Sequence, residues 1–183
     1  MKNLLVIALL FNLVRVNTCL TQDTDFNKPL VHASKESYAV NEFAYDHHKT
    51  VNNTNNYLYK KILKYPEHAV HPELRDKQYD RSLVAKIFYD TFPGSRLKKL
   101  ADENLDLLID FDSDLQGNVL EVSFVFKNNI SFTPIELEKL EIRLKKEVKF
   151  TLNDKVFKGY DYVPITTFVN FKRLINHTAD AVR

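Results

Sequence analysis

Residues 105–126 read LDLLIDFDSDLQGNVLEVSFVF, and this stretch decides the fold that the sequence predicts. In its first half, apolar odd positions alternate with mostly acidic even positions: Leu105, Leu107, Ile109 and Phe111 against Asp106, Asp110 and Asp112. A period of two is typical of a strand with one face in a core and the other in water. The second half alternates too, and we predict that its core face comprises Leu120, Val122, Phe124 and Phe126.

The segment between the two strands, residues 112–118, has the composition of a hairpin loop. It reads DSDLQGN, and these polar residues and glycine either tolerate positive φ or hydrogen-bond to their own backbone. The chain contains only three glycines. We therefore predict that Gly117 marks a left-handed turn position.

The residues that follow the hairpin carry clear capping and amphipathic signals of a helix. Thr133 is the predicted N-cap, Pro134 suits the first helical position, and Glu136 completes a capping box. The predicted apolar stripe of this helix comprises Leu137, Leu140, Leu144 and Val148. Charged residues, Glu138 among them, are expected to cover the rest of its surface.

Shorter elements flank the hairpin and the helix. Residues 82–92 carry apolar side chains at helical spacing behind Ser82 as the predicted N-cap, and residues 96–101 form a second short helix. Behind Pro164, the alternation at residues 165–171 predicts a closing strand. This order predicts an α+β fold in which a small three-stranded antiparallel sheet carries a helix on one face.

The N-terminus indicates export. The letters MKN followed by LLVIALLF give a short positive region and an apolar core of secretory-signal length. We predict a signal peptide over residues 1–21, a polar extension or linker over 22–80, the α+β domain over 81–175 and a tail over 176–183. Lipidation of Cys19 and an uncleaved N-terminus acting as a membrane anchor stay open as alternatives.

Composition narrows the possible partners. The 26 basic and 24 acidic residues leave a net charge of +2, which disfavours nucleic acid and a polybasic membrane patch. Cys19 is the one cysteine, so cleavage after it would leave no disulfide, which favours a bacterial envelope over an animal secretory pathway. We expect a periplasmic or cell-surface protein that is peripheral to a membrane at most.

The order of the elements also carries a family resemblance. Phe92-Pro93 precedes a short basic helix, and then come the strand pair of residues 105–126, the helix TPIELEKLEIRLKKEVKF and the closing strand PITTFVNF. Over residues 92–171 this order resembles the C-terminal domain of TonB and its relatives. The resemblance implies a non-catalytic envelope module that binds a partner protein through an edge of its sheet.

The sequence predicts neither a metal site nor a cofactor. Asp110 and Glu121 could open and close a calcium loop, but Leu115 stands where that loop requires glycine. The histidines of HAVH at residues 68–71 have the spacing of one helical face, yet prolines bracket them, which favours exposed histidines over zinc ligands. No nucleophile elbow, phosphate loop or dinucleotide fingerprint occurs, so we expect no enzyme.

Two functional hypotheses follow. The first is a non-catalytic, exported protein-binding or scaffold module that adds a partner strand to the edge of the closing strand. The residues predicted to bind that partner are Ile165, Thr167, Val169 and Phe171. The second is a small exported enzyme or ligand-binding protein with a pocket between the N-terminal extension and the sheet. A concave pocket with converging His or Asp residues favours the second hypothesis, and a flat sheet with an open edge favours the first.

Overall fold

The described part of the chain contains eight strands and four helices. The computed structural model describes residues 26–43, 48–56, 58, 77–127, 130–177 and 181–183. The strands are β1 (Leu30–His32), β2 (Ser37–Glu42), β3 (His48–Asn53), β4 (Lys77–Tyr79), β5 (Asp106–Ser113), β6 (Val119–Lys127), β7 (Phe150–Leu152) and β8 (Val163–Asn170). The helices are α1 (Arg81–Thr91), α2 (Gly94–Asp102), α3 (Pro134–Glu147) and α4 (Phe171–Ile175).

Six of the strands form one antiparallel sheet in the order β1-β2-β3-β6-β5-β8. The prediction of a small three-stranded sheet was therefore wrong. Strands β5, β6 and β8 do pair, but residues 30–53 of the predicted extension or linker add three further strands beside β6. Strand β3 pairs with β6 from His48–Lys127 to Asn52–Ser123. This pairing covers an edge of β6 that would otherwise expose unpaired main-chain groups.

The predicted parity of β5 is confirmed. Leu107, Ile109 and Phe111 are fully buried, whereas the even positions between them are half-buried on the opposite face. The loop that follows turns at Gly117, whose φ of +82° confirms the predicted left-handed position.

Strand β6 departs from strict alternation at its first residues. The β5–β6 register shifts where Ser113 pairs with Val119 but Asp112 pairs with Glu121, so one extra residue is accommodated there. Val119 is consequently buried, and Leu120, predicted to lie on the core face, is only half-buried. The bulge could not be read from the apolar pattern because both residues are apolar.

The capping box of α3 is confirmed and is joined to α2 by an ion pair. Thr133 Oγ1 accepts from the Glu136 backbone N–H at 3.2 Å, and the Glu136 carboxylate accepts from the Thr133 N–H at 2.8 Å. Arg96 of α2 donates to the same carboxylate from Nε at 2.7 Å and from Nη2 at 2.9 Å. The start of α3 and helix α2 are therefore fixed to one another.

Helix α1 is capped by Asp80 rather than by Ser82. The Asp80 carboxylate accepts from the backbone N–H groups of Ser82 and Leu83 at 2.8 and 3.2 Å. The Ser82 hydroxyl donates to the same carboxylate at 2.6 Å, so the predicted cap assists the real one.

A second face of α3 is buried, contrary to the expectation for Glu138. Only 4% of Glu138 is exposed, because its carboxylate accepts from the backbone N–H groups of Ser34 and Lys35 at 2.8 and 3.0 Å. One turn later, Glu141 accepts from the Tyr38 hydroxyl at 2.7 Å. Strands β1–β3 extend the sheet beneath this side of the helix, and the two glutamates fasten the helix to them.

The core between the sheet and the helices is rich in phenylalanine. The Phe132 ring lies 5.6 to 5.8 Å from the rings of Phe92, Phe126 and Phe171. The small antiparallel sheet of β4 and β7 joins this core through Tyr79, whose hydroxyl accepts from the buried Thr167 hydroxyl at 2.9 Å. The core therefore joins strands and helices from both halves of the chain.

We predict that Gly117→Ala is much more destabilising than Gly159→Ala. Both glycines have positive φ, but a Cβ at Gly117 would lie 1.8 Å from the Phe150 carbonyl oxygen, whereas a Cβ at Gly159 meets nothing within 4 Å. Gly159→Ala should lower the free energy of unfolding by about 1 kcal/mol, and Gly117→Ala by about 3 kcal/mol or more, because a steric clash adds to backbone strain. Urea denaturation measures both; equal losses would contradict the packing of the loop on β7.

Candidate ligand-binding groove

The face of the sheet opposite α3 carries a groove with a volume of about 710 Å³. Its lining residues are Asn41, Phe43, Thr50, Asn52, Asp110, Asp112, Ser123, Pro164, Ile165 and Thr166. Strands β2 and β3 supply one half of this outer-face groove, and β5, β6 and β8 supply the other. The volume lies within the roughly 300–1,000 Å³ of small-molecule sites.

A row of polar residues crosses the floor of the groove. Asn52 pairs with Ser123, Ser123 with Asp110, and Asp110 with Thr166, so four strands contribute one residue each. Residues directly opposed in an antiparallel sheet share a face, which places these side chains in line. The Thr166 hydroxyl donates to Asp110 Oδ1 at 2.6 Å.

Asp112 is the half-buried acid at one end of the groove. Burial, together with the nearby carboxylates of Asp110 and Glu121, raises the pKa of Asp112 from 3.8 to about 6. Among the described residues, no hydrogen-bond donor contacts the Asp112 carboxylate. An acid with these properties can accept a hydrogen bond or transfer a proton when a ligand arrives.

The rim of the groove adds an aromatic ring, and a lysine outside the lining contacts one of the lining residues. Phe43 follows β2 and is 55% exposed, which leaves its ring available to an apolar part of a ligand. Lys77 donates from Nζ to the Pro164 carbonyl oxygen at 2.9 Å, and burial lowers the pKa of Lys77. The groove thus combines acceptors, donors and one apolar surface.

The residues predicted to bind a partner strand lie in the core. The side chains of Ile165, Thr167, Val169 and Phe171 are at most 5% exposed, and Phe171 begins α4 instead of ending the strand. The Phe168 N–H points away from β5, so strand alternation directs the main-chain groups of residues 165, 167 and 169 toward β5. A partner strand would meet the even-numbered residues of β8, and the partner-binding role stays a prediction.

Residues 181–183 occupy part of the outer edge of β8. Phe168 and Arg183 exchange two main-chain hydrogen bonds of 2.6 and 2.9 Å, and the Asn170 N–H donates to the Ala181 oxygen at 3.0 Å. The Arg183 guanidinium carbon lies 5.3 Å from the centre of the Phe168 ring. We call residues 181–183 the C-terminal strap, because they pair along the second half of β8.

Several predictions fall outside the described residues, namely the signal peptide of residues 1–21 with Cys19 and the histidines of residues 68–71. Within the described ranges, no three His, Cys, Asp or Glu side chains converge as a metal-ion site. No helix in that part of the chain has the length and apolar character needed to span a bilayer.

The architecture of this chain has a solved counterpart. The crystal structure of a DUF5043 family protein from Bacteroides uniformis ATCC 8492 matches it with a TM-score of 0.58 and 18% sequence identity. The match covers 77% of this chain and 84% of that one. The two proteins share a fold. No protein-family model and no curated protein matches the sequence.

The resemblance to the TonB C-terminal domain was wrong. The structural match is to a DUF5043 family protein, and the sheet has six strands where that resemblance implied three. A hairpin, an amphipathic helix and a closing strand recur in many α+β folds, so their order alone did not identify a family.

Half of the groove was missed by the sequence analysis. Asn41, Thr50 and Asn52 lie in the segment predicted as a polar extension or linker. The sequence offered only a weak alternation of apolar and polar residues around Tyr38 and Val51. Each of these two residues is fully buried in its strand. Asparagine and lysine at the intervening positions are depleted in strands, which hid the period.

We predict that Asp112→Asn stabilises the protein at neutral pH. The folded-state pKa of Asp112 is raised above its unfolded value, so ionisation disfavours the folded state and its penalty grows as pH rises from about 4 through 6. The variant should be more stable than wild type by about 1–2 kcal/mol at pH 8, and the difference should vanish near pH 4. Urea denaturation across this pH range measures it.

Asp106→Asn is the matched control for this prediction. Asp106 lies on the same face of β5 outside the groove and accepts from Asn170 Nδ2 at 2.7 Å, a bond that an asparagine oxygen can retain. If both variants show the same pH dependence, the effect belongs to the charge of the whole sheet face, and the assignment to Asp112 fails.

Proposed function

We propose that this chain is an exported, non-catalytic binding protein that holds a small polar ligand in the outer-face groove. The observation that carries the proposal is the convergence of Asp110 and Asp112 with polar side chains of β2, β3, β6 and β8 around one cavity. This is the concave site that the ligand-binding hypothesis requires. The export part of the proposal rests on the sequence of residues 1–21.

The lining favours a ligand rich in hydrogen-bond donors. Ionised Asp110 and Asp112 can only accept, whereas the amides of Asn41 and Asn52 both donate and accept. The exposed ring of Phe43 can contact an apolar edge of the same ligand. Sugars and organic amines carry donors of this kind.

The energetics of Asp112 support a binding role. A half-buried carboxylate beside two other acids lowers the stability of the unliganded fold once it ionises. Groups that lower stability cluster at binding and catalytic sites, where a ligand supplies the missing interaction. Donors of a bound ligand would satisfy the Asp112 carboxylate.

The proposal is tested by titrating the ¹⁵N-labelled chain with one panel of saccharides and one of organic amines. We expect a ligand to shift the backbone amides of Asn52, Asp110 and Ser123 in a saturable manner. Ser123→Leu places an apolar side chain on the groove floor and should abolish these shifts, because it fills space and removes a polar contact.

Val125→Leu is the matched control for the groove variant. Val125 lies two residues farther along the same face of β6 and does not line the groove, so this variant should bind as wild type does. A ligand that binds Ser123→Leu as tightly as wild type would show that the groove is not the site.

A second candidate function is capture of a partner strand at β8. The C-terminal strap already pairs with Phe168 and Asn170, and this intrachain pairing supports the proposal that the edge can take an added strand. Beyond the strap, strand alternation directs the main chain of Thr166 outward as well. A partner protein could pair there or displace the strap.

This candidate is tested with a chain that ends at residue 177 and a fluorescent peptide of residues 176–183. The peptide should bind, and Phe168→Pro should weaken its binding about tenfold, because proline removes the N–H that donates to Arg183. Phe168→Val keeps that N–H and should bind the peptide. Anisotropy titration measures the affinities, and equal binding by both variants would exclude main-chain pairing.

A further inference from the structure

A second cavity lies on another side of the molecule, between α1, α4 and the C-terminal strap. Its volume is about 410 Å³, again within the roughly 300–1,000 Å³ of small-molecule sites. Its lining residues are Arg81, Ser82, Ala85, Lys86, Tyr89, Leu174, His177, Ala181 and Val182. It shares no residue with the outer-face groove, so an inference about it does not depend on the function proposed above.

The mouth of the cavity carries two cationic residues, Arg81 and Lys86. Lys86 is paired with Asp90 at 2.5 Å, which offsets its charge. Arg81 forms no ion pair with any carboxylate of the described residues, and its guanidinium carbon lies 6.0 Å from the Tyr79 ring centre. Among the described residues that line the cavity none is acidic, which favours an anion as its electrostatic complement.

The interior of the cavity is apolar and has a fixed polar wall. Leu174, Ala181 and Val182 are buried, and Ala85 adds a fourth small apolar surface. Tyr89 donates its hydroxyl to the Leu174 carbonyl oxygen and stacks on His177 with ring centres 5.3 Å apart. A ligand that fills this space must therefore carry an apolar body as well as an anionic group.

We propose that this cavity binds a small amphipathic carboxylate, with the carboxylate at Arg81 and the apolar tail against Leu174, Ala181 and Val182. The guanidinium fork matches a carboxylate in two parallel hydrogen bonds. Burial of the tail supplies the remaining affinity. The size of the cavity suits a medium-chain fatty acid or an aryl carboxylate.

The site is physically continuous with the C-terminal strap. Ala181 and Val182 form one wall of the cavity, and the same segment pairs with the outer edge of β8 through Phe168 and Asn170. A ligand packed against that wall stabilises the docked strap. Because the ligand and the docked strap stabilise each other, a ligand bound in the cavity weakens the binding of any other strand that competes with the strap for the edge of β8.

Calorimetric titration of the full chain with octanoate tests the proposal, with octanol and octylammonium as probes of the same tail length. Octanoate should bind at one site, and the other two should bind about tenfold more weakly or not at all, because they lack the charge-assisted hydrogen bonds to Arg81. Hydrogen exchange should show slower exchange of the Phe168 and Arg183 amides when octanoate is bound. Octanol binding as tightly as octanoate would overturn the proposal.

Variants of the full chain locate the site. Arg81→Gln should weaken octanoate binding about tenfold, and Ala85→Phe should abolish it by filling the cavity. Lys98→Gln removes an exposed cation of α2 and Ser123→Leu fills the outer-face groove, so both should bind octanoate as wild type does. Unchanged affinity in Arg81→Gln, or unchanged exchange at Phe168 and Arg183 with octanoate bound, would refute the assignment. The ligand comparison on wild type decides the question if a variant fails to fold.

Discussion

The main-chain pairing of β3 with β6 is the constraint on which the rest of the structure depends. It converts the β5–β6–β8 triplet into a six-stranded sheet and covers the edge that β6 would otherwise expose. It also unites the two halves of the outer-face groove, because Asn52 of β3 is the direct partner of Ser123 of β6. Without this pairing, neither the groove nor the burial of the second face of α3 would exist.

A buried polar network helps to hold α3 on the added strands. Glu141 accepts from Tyr38 and Asn53 and pairs with Lys145 at 2.9 Å, and Lys145 also contacts Glu121 at 2.6 Å. Burial lowers the pKa of Lys145, but the two carboxylates outweigh it and raise that pKa overall. A buried network of this kind tolerates no missing member, because a single unpaired carboxylate costs several kcal/mol, on the order of 3–5. It therefore specifies how the N-terminal strands dock.

The same network explains how much the sequence could predict. The hairpin, the capping box of α3 and the two short helices were recoverable, because their apolar spacing and capping residues follow local rules. Strands β1–β3 were not, because Asn53 lies on the core face, where its amide is satisfied by Glu141, a residue 88 positions away that no local pattern connects with it. The aspartates of the groove were correctly placed on the face opposite the core. Their proximity to Asn41 and Asn52 depends on tertiary structure, and no local sequence pattern could predict it.

The two proposed sites differ in which of their polar and charged side chains already have partners within the protein. In the outer-face groove, Asp110 is bound to Thr166 whereas Asp112 has no donor among the described residues, so the unmet requirement is for hydrogen-bond donors. In the cavity beside α1, Tyr89 and Lys86 already have partners, whereas Arg81 has no carboxylate partner among the described residues, which is why an anion is proposed there. Buried polar groups in proteins are normally hydrogen-bonded, so a polar group without a partner in the protein lies where solvent or a ligand can reach it. The first site calls for hydrogen-bond donors and the second for an anion with an apolar tail, so the two proposed sites select ligands of different chemistry.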